Sequence, residues 1–545
     1  MQKKPIGQIL KEEGFIREEH IEFALKEQKA TGERLGEVLT RIGIVTDFEI
    51  AKVVAKQANM DFLDTRTVNP DPAALAKIPA RFARDRTVLP FALEKGALHV
   101  AISDPFDQVA IEGITSFAGA RFKPFIAPEN ELKKMIEWHY YFLETPVDKE
   151  IEKIQQTLVR NPSANIPVDD LIRNILVLGI VNRATDIHIS PTAQTSRIFY
   201  RIDGLLDLAF VFPITVHSRL VSAIKVRSGM DIAERRLPQD GRMSFEFLGE
   251  SYDLRVSTVQ LPRGENLVIR LLPTRSTILH LSSLGFSSAE VAKLEELFRK
   301  PYGMVLVTGP TGSGKTTTLY SALRMIDVIH LNVLTVENPI EYNFPLIRQT
   351  QTLEEIGYDF STAIRHFMRQ DPDVILVGEI RDEKTAQMAI RAALTGHLLL
   401  STVHANNAIS AIPRLREFGI TPEMLASTLL GITAQRLVRT ICPHCKELYK
   451  PETRLLAKFN LPPEGEYYHG KGCQHCRGKG YIGRTSITEI IIVSERLQKL
   501  IAENATITAM LDVLKEENFQ DLRESAKQKI LSGITTVEEA NRVLG

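Results

Sequence analysis

The spacing of hydrophobic residues along the chain predicts a mixed α/β protein. Two short apolar runs, 304–307 and 374–377, have the length and continuity of buried strands, and the first leads through a glycine-rich turn into a segment with helical character. Nearer the amino terminus, 98–102 reads as a strand and 129–138 as a helix. Apolar and polar residues then alternate over 254–271 in the manner of strands. Strands and helices are therefore predicted in every part of the chain.

The first sixty residues repeat one pattern at a shift of 29 residues, so that 5–28 and 34–57 form two copies of a 24-residue unit. The matched pairs are Gly7 with Gly36, Leu10 with Leu39, Gly14 with Gly43, Ile16 with Val45, Ile21 with Ile50 and Gln28 with Gln57. Each copy predicts a short helix, a glycine after its end and a second helix. Thr46 and Glu49 add a capping box in the second copy. On these residues alone, the pattern is typical of a helical hairpin duplicated for packing.

The turn after the strand at 304–308 matches the pattern G-x-x-x-x-G-K-[ST]. Its residues are Gly309, Pro310, Thr311, Gly312, Ser313, Gly314, Lys315 and Thr316, followed by Thr317. Glycines let backbone N–H groups curl around a β-phosphate, and the helix N-terminus adds partial positive charge. Lys315 would reach the β- and γ-phosphates, and the Thr316 hydroxyl would bind Mg²⁺. Because a strand and a helix flank it, the turn is predicted to be a P-loop that binds ATP.

Carboxylates flank the second apolar run. Asp373 precedes it, and Glu379 follows it after one glycine. A carboxylate at a strand end commonly serves the metal and the attacking water beside a P-loop. A carboxylate is therefore available for this role, and a solvated acidic strand end is the alternative.

The four cysteines of the chain form two C-x-x-C pairs, with 27 residues (446–472) between the inner cysteines. They are Cys442, Cys445, Cys473 and Cys476. Two such pairs predict a tetrahedral Zn²⁺ site with sulfur ligands at about 2.3 Å. Four thiolates close the coordination shell, so the predicted role of the metal is structural. His444 and His475 are ligands only if a cysteine is not.

Composition places the protein among ordinary globular chains. Of 545 residues, 44% are hydrophobic and 25% are charged, which allows several domains. There is no apolar run of membrane-spanning length and no signal-peptide pattern at the start, so we expect a cytoplasmic protein. Basic and acidic residues number 67 each, so no charge excess draws the chain to nucleic acid.

Four blocks in the second half resemble the Walker A, Asp box, Walker B and His box of the type II secretion and type IV pilus ATPases. They are the P-loop, 335–342, 373–379 and 395–405. The resemblance implies a RecA-like ATPase domain, a preceding PAS-like α/β domain and a helical-repeat α/β domain in front. It also implies a homohexamer that acts on an inner-membrane platform protein, with a membrane-anchored docking protein as a second partner.

The same resemblance assigns roles to individual side chains. Glu341 is the base or orients the attacking water, with Glu337 as the alternative, and Glu379 helps to hold Mg²⁺. His397 and His404 sense the γ-phosphate. The family usually has Asp where this chain has Asn338. Since a carboxylate remains on either side, we expect hydrolysis to be retained.

The N-terminal repeat resembles the tandem 24-residue motifs, separated by five residues, that bind cyclic-di-GMP in some of these ATPases. By that likeness Arg34 stacks on a guanine, and Gln28 adds a polar contact. The residues expected against the ligand are Ile6, Gly7, Leu10, Leu35, Gly36 and Leu39. Pro5 stands where the family usually has Arg, with Lys3 or Lys4 as the candidate substitute.

Residues 168–275 resemble the second N-terminal domain of the family, where arginines corresponding to Arg255 and Arg270 approach the nucleotide as the domain closes. A guanidinium there would neutralise charge on the γ-phosphoryl oxygens.

Arg365 and Arg369, four residues apart on one helix face, are candidates for an interface near the nucleotide, with surface pairing as the alternative. The polar, proline-broken segment 146–167 is interpreted as a hinge.

We therefore predict a regulatory and docking domain at 1–145, a linker at 146–167, a PAS-like domain at 168–275 and an ATPase domain at 276–545 with a zinc subdomain at 440–485. The predicted function is ATP hydrolysis that drives pilus assembly or type II secretion, with cyclic-di-GMP as a candidate regulator. A nucleic-acid motor and a nucleotide-binding scaffold with little turnover are the alternatives. The lack of an aromatic-basic motif argues against the first, and Asn338 with Pro5 keeps the second open.

Overall fold

The computed structural model describes residues 5–65, 68–94, 96–119, 121–273 and 280–545. The chain divides into two compact units, Met1–Ser276 and Thr277–Gly545, and both are built from helices and sheets. The predicted α/β fold is therefore confirmed. Lys3, Lys4 and the predicted domain boundary at 276 lie outside the described residues. None of the described helices is both long and apolar enough to cross a membrane.

The first unit contains helices and a four-stranded and a six-stranded sheet. Its helices are α1 (Ile6–Glu12), α2 (Glu18–Thr31), α3 (Leu35–Arg41), α4 (Asp47–Ala58), α5 (Pro72–Leu75), α6 (Ala80–Arg86), α7 (Gln108–Ala118), α8 (Glu129–Glu144), α9 (Val147–Arg160), α10 (Val168–Val181) and α11 (His217–Arg227). Its strands are β1 (Asp61–Phe62), β2 (Val88–Glu94), β3 (Ala97–Ile102), β4 (Phe122–Ile126), β5 (Ala184–Pro191), β6 (Thr195–Ile202), β7 (Leu205–Pro213), β8 (Gln239–Phe247), β9 (Glu250–Leu261) and β10 (Gly264–Pro273).

Helices α1 to α4 repeat at the shift read from the sequence. The first residues of α1 and α3, and those of α2 and α4, are each 29 positions apart. Gly14 and Gly43, which follow the short helices, have φ of 78° and 80°, in the left-handed region that favours glycine. Thr46 makes the capping box with Glu49. The two copies therefore share one backbone pattern.

The hinge predicted at 146–167 is wrong for most of its length, because 147–160 forms helix α9. Three of its apolar residues, Val147, Ile151 and Leu158, are buried in the same core as α10 and the six-stranded sheet. They recur at helical spacing among the charged residues that suggested a linker. Burial of one helix face therefore fixes this segment to the domain that follows it.

The six-stranded sheet has the order β7-β6-β5-β10-β9-β8 and is antiparallel throughout. Its inner face packs on α9, α10 and α11 around Ile187, Ile198 and Leu254. The register aligns five charged residues across five strands: Arg201, Asp186, Arg270, Arg255 and Arg242. Cross-strand partners share a face, so these side chains form one row on the side opposite the core.

The second unit is built on a seven-stranded sheet of order β13-β12-β14-β15-β11-β16-β19. The strands of this unit are β11 (Gly303–Thr308), β12 (Val333–Glu337), β13 (Arg348–Gln351), β14 (Val374–Ile380), β15 (Leu398–Val403), β16 (Leu429–Ile441), β17 (Lys446–Tyr449), β18 (Tyr467–Gly470) and β19 (Tyr481–Ile492). Strands β17 and β18 form a separate two-stranded sheet. Its helices are α12 (Ser288–Phe298), α13 (Lys315–Leu323), α14 (Phe360–Phe367), α15 (Glu383–Leu394), α16 (Ala411–Glu417), α17 (Pro422–Thr428), α18 (Thr453–Lys458), α19 (Glu495–Ala502), α20 (Ile507–Glu516), α21 (Leu522–Leu531) and α22 (Val537–Leu544).

Strands β11 to β16 of this sheet are parallel, and β19 is antiparallel to β16. Strands β11, β12 and β15 are buried along their whole length, which fits a sheet covered on both faces. The carboxyl ends of parallel strands meet at one edge. The P-loop, the segment after Glu337, Glu379 and the loop after β15 therefore share that edge.

Candidate nucleotide site and thiol cluster

The P-loop connects buried strand β11 to helix α13, as the motif requires. Gly309, Gly312 and Gly314 have φ of 147°, 77° and 89°, in the left-handed region. The buried Ser313 hydroxyl has no hydrogen-bond partner among the described residues. An unsatisfied hydroxyl in a loop of turned backbone suits a phosphate oxygen.

Lys315 is folded back onto its own loop. Its Nζ donates to the carbonyls of Gly309 at 2.9 Å and Pro310 at 3.2 Å. Burial lowers the pKa of Lys315, and Arg436 adds to the lowering while Glu379 opposes it. Anionic phosphates would replace two neutral carbonyls as its partners and would favour the charged ammonium.

Gln435 on β16 holds the P-loop from the neighbouring strand, and no sequence motif marks it. Its side-chain amide donates to the Ser313 carbonyl at 2.6 Å and accepts from the Thr318 hydroxyl at 2.8 Å, and Gln435 is only 1% exposed. A Cβ at Gly309 would lie 2.6 Å from the backbone carbonyl oxygen of Gln435 and 2.6 Å from Ser313 Oγ, and one at Gly314 would lie 2.9 Å from the Gln435 side-chain amide nitrogen. Close contact with β16 therefore adds to the positive φ values that already favour glycine at both positions.

Glu379 lies at the carboxyl end of β14 in a cluster of charged side chains. Its carboxylate accepts a hydrogen bond from Arg381 and lies 3.3 Å from His404 Nε2. The bond from Arg381 lowers the pKa of Glu379, and His404 adds to that effect against the cost of burial. The group therefore stays ionised at neutral pH, as a Mg²⁺ ligand must.

Glu337 and Glu341, the two candidates for the base, differ in their surroundings. Glu337 is 3% exposed and accepts hydrogen bonds from Tyr320, Thr335 and Gln349. Glu341 is exposed, four residues further along the chain, and its backbone N–H donates to the Tyr320 hydroxyl at 3.2 Å. Of the two, Glu341 has the accessibility that a base acting on water needs.

His404 and His397 lie at opposite ends of β15. His404 follows the carboxyl end, beside Glu379, and it lines a pocket of about 410 Å³ with Gly309 and Pro310. His397 precedes the strand, and its carbonyl accepts from Gly303 at the start of β11. Its Nδ1 lies 2.9 Å from the Ala392 carbonyl. The length of β15, about 20 Å, therefore separates His397 from the edge that carries the P-loop. The prediction that His397 senses the γ-phosphate is corrected on this ground: it does not reach a nucleotide bound to the P-loop of the same chain.

The predicted arginines are distributed over both units. Arg255 and Arg270 are direct partners on neighbouring strands of the first unit. Arg270 donates to Asp186 at 3.0 Å, and Arg255 Nε lies 3.6 Å from Asp253 without a hydrogen bond among the described residues.

Arg365 lies on α14 and Arg369 just beyond it, both exposed. Arg369 donates to the Arg365 carbonyl at 3.1 Å, and its Nη2 lies 2.8 Å from His366 Nδ1. The pair therefore forms a local surface arrangement at the end of this helix.

The four cysteine side chains come together beside β17 and β18. The Sγ–Sγ distances are 3.8 Å for Cys442–Cys473 and 3.7 Å for both Cys445–Cys476 and Cys473–Cys476. Ligands at about 2.3 Å from a tetrahedral Zn²⁺ are about 3.75 Å apart, so the thiols fit this ion. Burial raises the pKa of Cys476, but backbone N–H groups of Cys473 and Gly480 outweigh it and bring the pKa to about 7.

Residues of the N-terminal repeat that were predicted to touch cyclic-di-GMP differ in exposure. Arg34 is exposed at the start of α3, and Pro5 occupies the same place before α1. Ile6, Leu35 and Gly36 are half-buried, whereas Gly7, Leu10 and Leu39 are buried. The Gln28 amide donates to the Glu33 carbonyl at 2.8 Å and closes the five-residue spacer.

The fold and this site define a P-loop ATPase. A family model described as type II/IV secretion system protein matches residues 164–542, and one described as MshEN domain matches 58–145. The chain belongs to the type II/IV secretion system protein family. The predicted family and the predicted ATPase class are therefore confirmed.

Named relatives cover nearly the whole chain. The type IV pilus assembly ATPase PilB of Myxococcus xanthus is 34% identical over 555 residues, covering 98% of each protein. The type II secretion system protein E of Xanthomonas campestris pv. campestris is 33% identical over 554 residues, covering 99% of this chain and 98% of its own length. The X-ray structure of the Legionella pneumophila ATPase DotB, at 22% identity, has a TM-score of 0.54 over 70% of this chain and 96% of its own and supports the fold.

Proposed function

We propose that this protein is a cytoplasmic, homohexameric motor that hydrolyses ATP to drive pilus assembly or type II secretion at the inner membrane. The observation that carries the proposal is the meeting of Lys315, Glu379 and His404 at one sheet edge in a chain that aligns end to end with a pilus assembly ATPase. Its partners are an inner-membrane platform protein and a membrane-anchored docking protein. Nucleic acid has no part in this function.

The residues at the sheet edge divide the work of hydrolysis. Backbone N–H groups of 309–316 and the Lys315 ammonium bind the phosphates, and the Thr316 hydroxyl and Glu379 would hold Mg²⁺. Mg²⁺, when bound, neutralises charge on the phosphoryl oxygens. Glu341 accepts the proton of the attacking water or orients it, and His404 donates a hydrogen bond to the γ-phosphate.

Arg255 and Arg270 supply positive charge from the PAS-like domain at 168–275. Three arginines, at positions 242, 255 and 270, are direct neighbours in the sheet register, and like charges in that arrangement destabilise a sheet. Binding of a polyphosphate would relieve this repulsion. As the family resemblance implies, these arginines neutralise phosphate charge during hydrolysis, and the energy of hydrolysis moves the platform protein.

The remaining regions support the motor. The cysteines hold a structural Zn²⁺ in the subdomain at 440–485 of the ATPase domain, 276–545. Residues 1–145 form the domain that docks on the partner and binds cyclic-di-GMP through its repeat, 5–28 and 34–57. Arg34 stacks on the ligand, and its exposure at the start of α3 leaves the guanidinium accessible.

Regulation is tested by titrating cyclic-di-GMP calorimetrically into the wild type, Arg34→Ala and Pro5→Arg. Loss of one stacking cation weakens binding about 10-fold in Arg34→Ala, and its restoration in the first copy strengthens binding by a similar factor. Equal affinity in all three proteins, or no heat in any, would exclude the repeat as the binding site.

The motor function is tested by steady-state ATP hydrolysis of the purified protein, whose mass is measured by analytical ultracentrifugation. Lys315→Ala and Glu341→Gln should each lower turnover about 100-fold or more, with the hexamer intact. A wild type that binds ATP without turnover, even with the cytoplasmic part of the platform protein added, would favour the scaffold. Stimulation by DNA would favour a nucleic-acid motor.

A further inference from the structure

Tyr320 is a buried tyrosine on the P-loop helix, five residues after Lys315. It is 1% exposed, and its ring packs edge-on against Tyr342 at 5.1 Å and Phe344 at 5.3 Å between centroids. Tyr342 and Phe344 belong to the segment that carries Glu341. The P-loop helix and this segment therefore meet through an aromatic cluster.

The hydroxyl of Tyr320 joins three elements of the site. It donates to the Glu337 carboxylate at the end of β12 and accepts from the Glu341 backbone N–H at 3.2 Å. Both directions of hydrogen bonding are thus used. A phenylalanine would keep the packing and remove only these two bonds.

Glu337 is the anchor of the same network. Its Oε1 accepts from the Thr335 hydroxyl at 2.6 Å and from the Gln349 amide at 3.0 Å. The Gln349 amide also donates to the Tyr342 carbonyl at 2.9 Å, and its oxygen accepts from the Phe344 N–H at 2.7 Å. The segment is therefore tied to the protein at Glu341, Tyr342 and Phe344.

We propose that Tyr320 is a positioning residue for hydrolysis, and that it holds the Glu341 segment against the P-loop helix through Glu337. In this arrangement the buried Glu337 has a structural role, and the exposed Glu341 is the residue that acts on water. The proposal rests on the proposed function, because it assumes that Glu341 is the group that serves the attacking water. A displacement of about 1 Å in such a group is enough to slow a reaction about 100-fold.

The test compares Tyr320→Phe with the wild type in ATP turnover and in binding of a fluorescent ATP analogue. The expected result is a fall in kcat of about 10- to 100-fold with KM and analogue affinity within twofold, because the P-loop contacts remain. Gln349→Met removes the ties at Tyr342 and Phe344 and should show the same split. In a Tyr320→Phe Glu341→Gln protein the tyrosine change should add less than twofold, since the group that it positions is already gone.

Tyr467→Phe is the matched control, since Tyr467 is 2% exposed and donates one hydrogen bond, to the Pro462 carbonyl at 2.6 Å, away from the site. It should leave kcat unchanged. Wild-type kcat in both Tyr320→Phe and Gln349→Met, or a rise in KM without a fall in kcat, would overturn the positioning role while the motor function stands. A wild type without turnover would overturn both.

Discussion

Strand β16 serves two regions that are built in opposite ways. Gln435 in the strand holds the P-loop, and Cys442, directly after the strand, belongs to the thiol cluster. At the P-loop the side chains have partners that a bound nucleotide would replace. Lys315 donates a hydrogen bond to a carbonyl of its own loop, and the His404 side chain is 50% exposed beside Glu379. At the cluster, the sulfur atoms lie within van der Waals distance of one another, and three of the four cysteines are buried while Cys473 is half-buried.

The difference follows from what each region has to do. A catalytic site must release its present partners to receive a substrate, so its charged groups stay partly exposed and loosely paired. A structural metal site gains stability by keeping its ligands, so it is closed and its backbone donors point at sulfur. Substitutions in the two regions should therefore separate loss of turnover from loss of stability.

The largest effect is expected from the thiol cluster. Cys442→Ser with Cys473→Ser removes one ligand from each pair, so the protein should lose its zinc and about 5 kcal/mol or more of unfolding free energy, a part of the about 10–16 kcal/mol that zinc contributes in zinc-finger peptides. Atomic absorption measures the metal, and calorimetry of the full chain measures the stability. Retention of one full equivalent of zinc would contradict the site.

The second-largest effect is expected at Glu539, and it tests whether the tightly bonded region around the thiol cluster extends to α22. Glu539 on α22 is 1% exposed and accepts hydrogen bonds from Arg439 on β16 and from Arg542. Burial raises its pKa, but the bonds from Arg542 and Arg439 outweigh burial and lower the pKa to about 2.

Because this pKa is depressed on folding, its stabilising effect is complete above the unfolded value of about 4.5 and is lost as pH falls towards about 2. The shift corresponds to about 3 kcal/mol. Glu539→Gln should lower stability by about that amount at pH 7 and by much less near pH 2.5, by calorimetry at both values. An equal loss at both pH values would assign the effect to packing instead of charge.

The smallest effect tests the link between β16 and the P-loop. Gln435→Met leaves the Ser313 carbonyl and the Thr318 hydroxyl without their partner, which should cost about 1–3 kcal/mol and weaken ATP binding about 10-fold. Gln498→Met serves as the control, because it removes one hydrogen bond, from the Gln498 side-chain amide to the Ala426 carbonyl, away from the P-loop. Unchanged ATP affinity in Gln435→Met would show that Gln435 serves only the packing of the core and does not support nucleotide binding.

The sequence predicts those parts of the site that are contiguous in the chain. The P-loop and the two cysteine pairs are local patterns whose chemistry depends on spacing. Gln435 carries no such signal, because it lies 122 residues from the Ser313 carbonyl that it binds. Only the pairing of β11 with β16 brings the two together.

The two errors also have physical causes. His397 and His404 are close in sequence, but a strand of extended backbone separates them, so only His404 reaches the carboxyl edge. In α9, frequent charged residues conceal apolar positions at helical spacing. The resemblance left Glu337 and Glu341 as alternatives for the base, and the two differ in burial, which depends on tertiary packing and not on local sequence.

The most direct measurement is ATP turnover after treatment of the purified protein with EDTA, with bound zinc determined in the same sample. An open Mg²⁺ site and a closed thiolate site predict that turnover stops, that one equivalent of zinc per chain remains, and that Mg²⁺ alone restores the full rate. Turnover that persists without Mg²⁺, or that returns only when zinc is added, would contradict the assignment of hydrolysis to the P-loop edge.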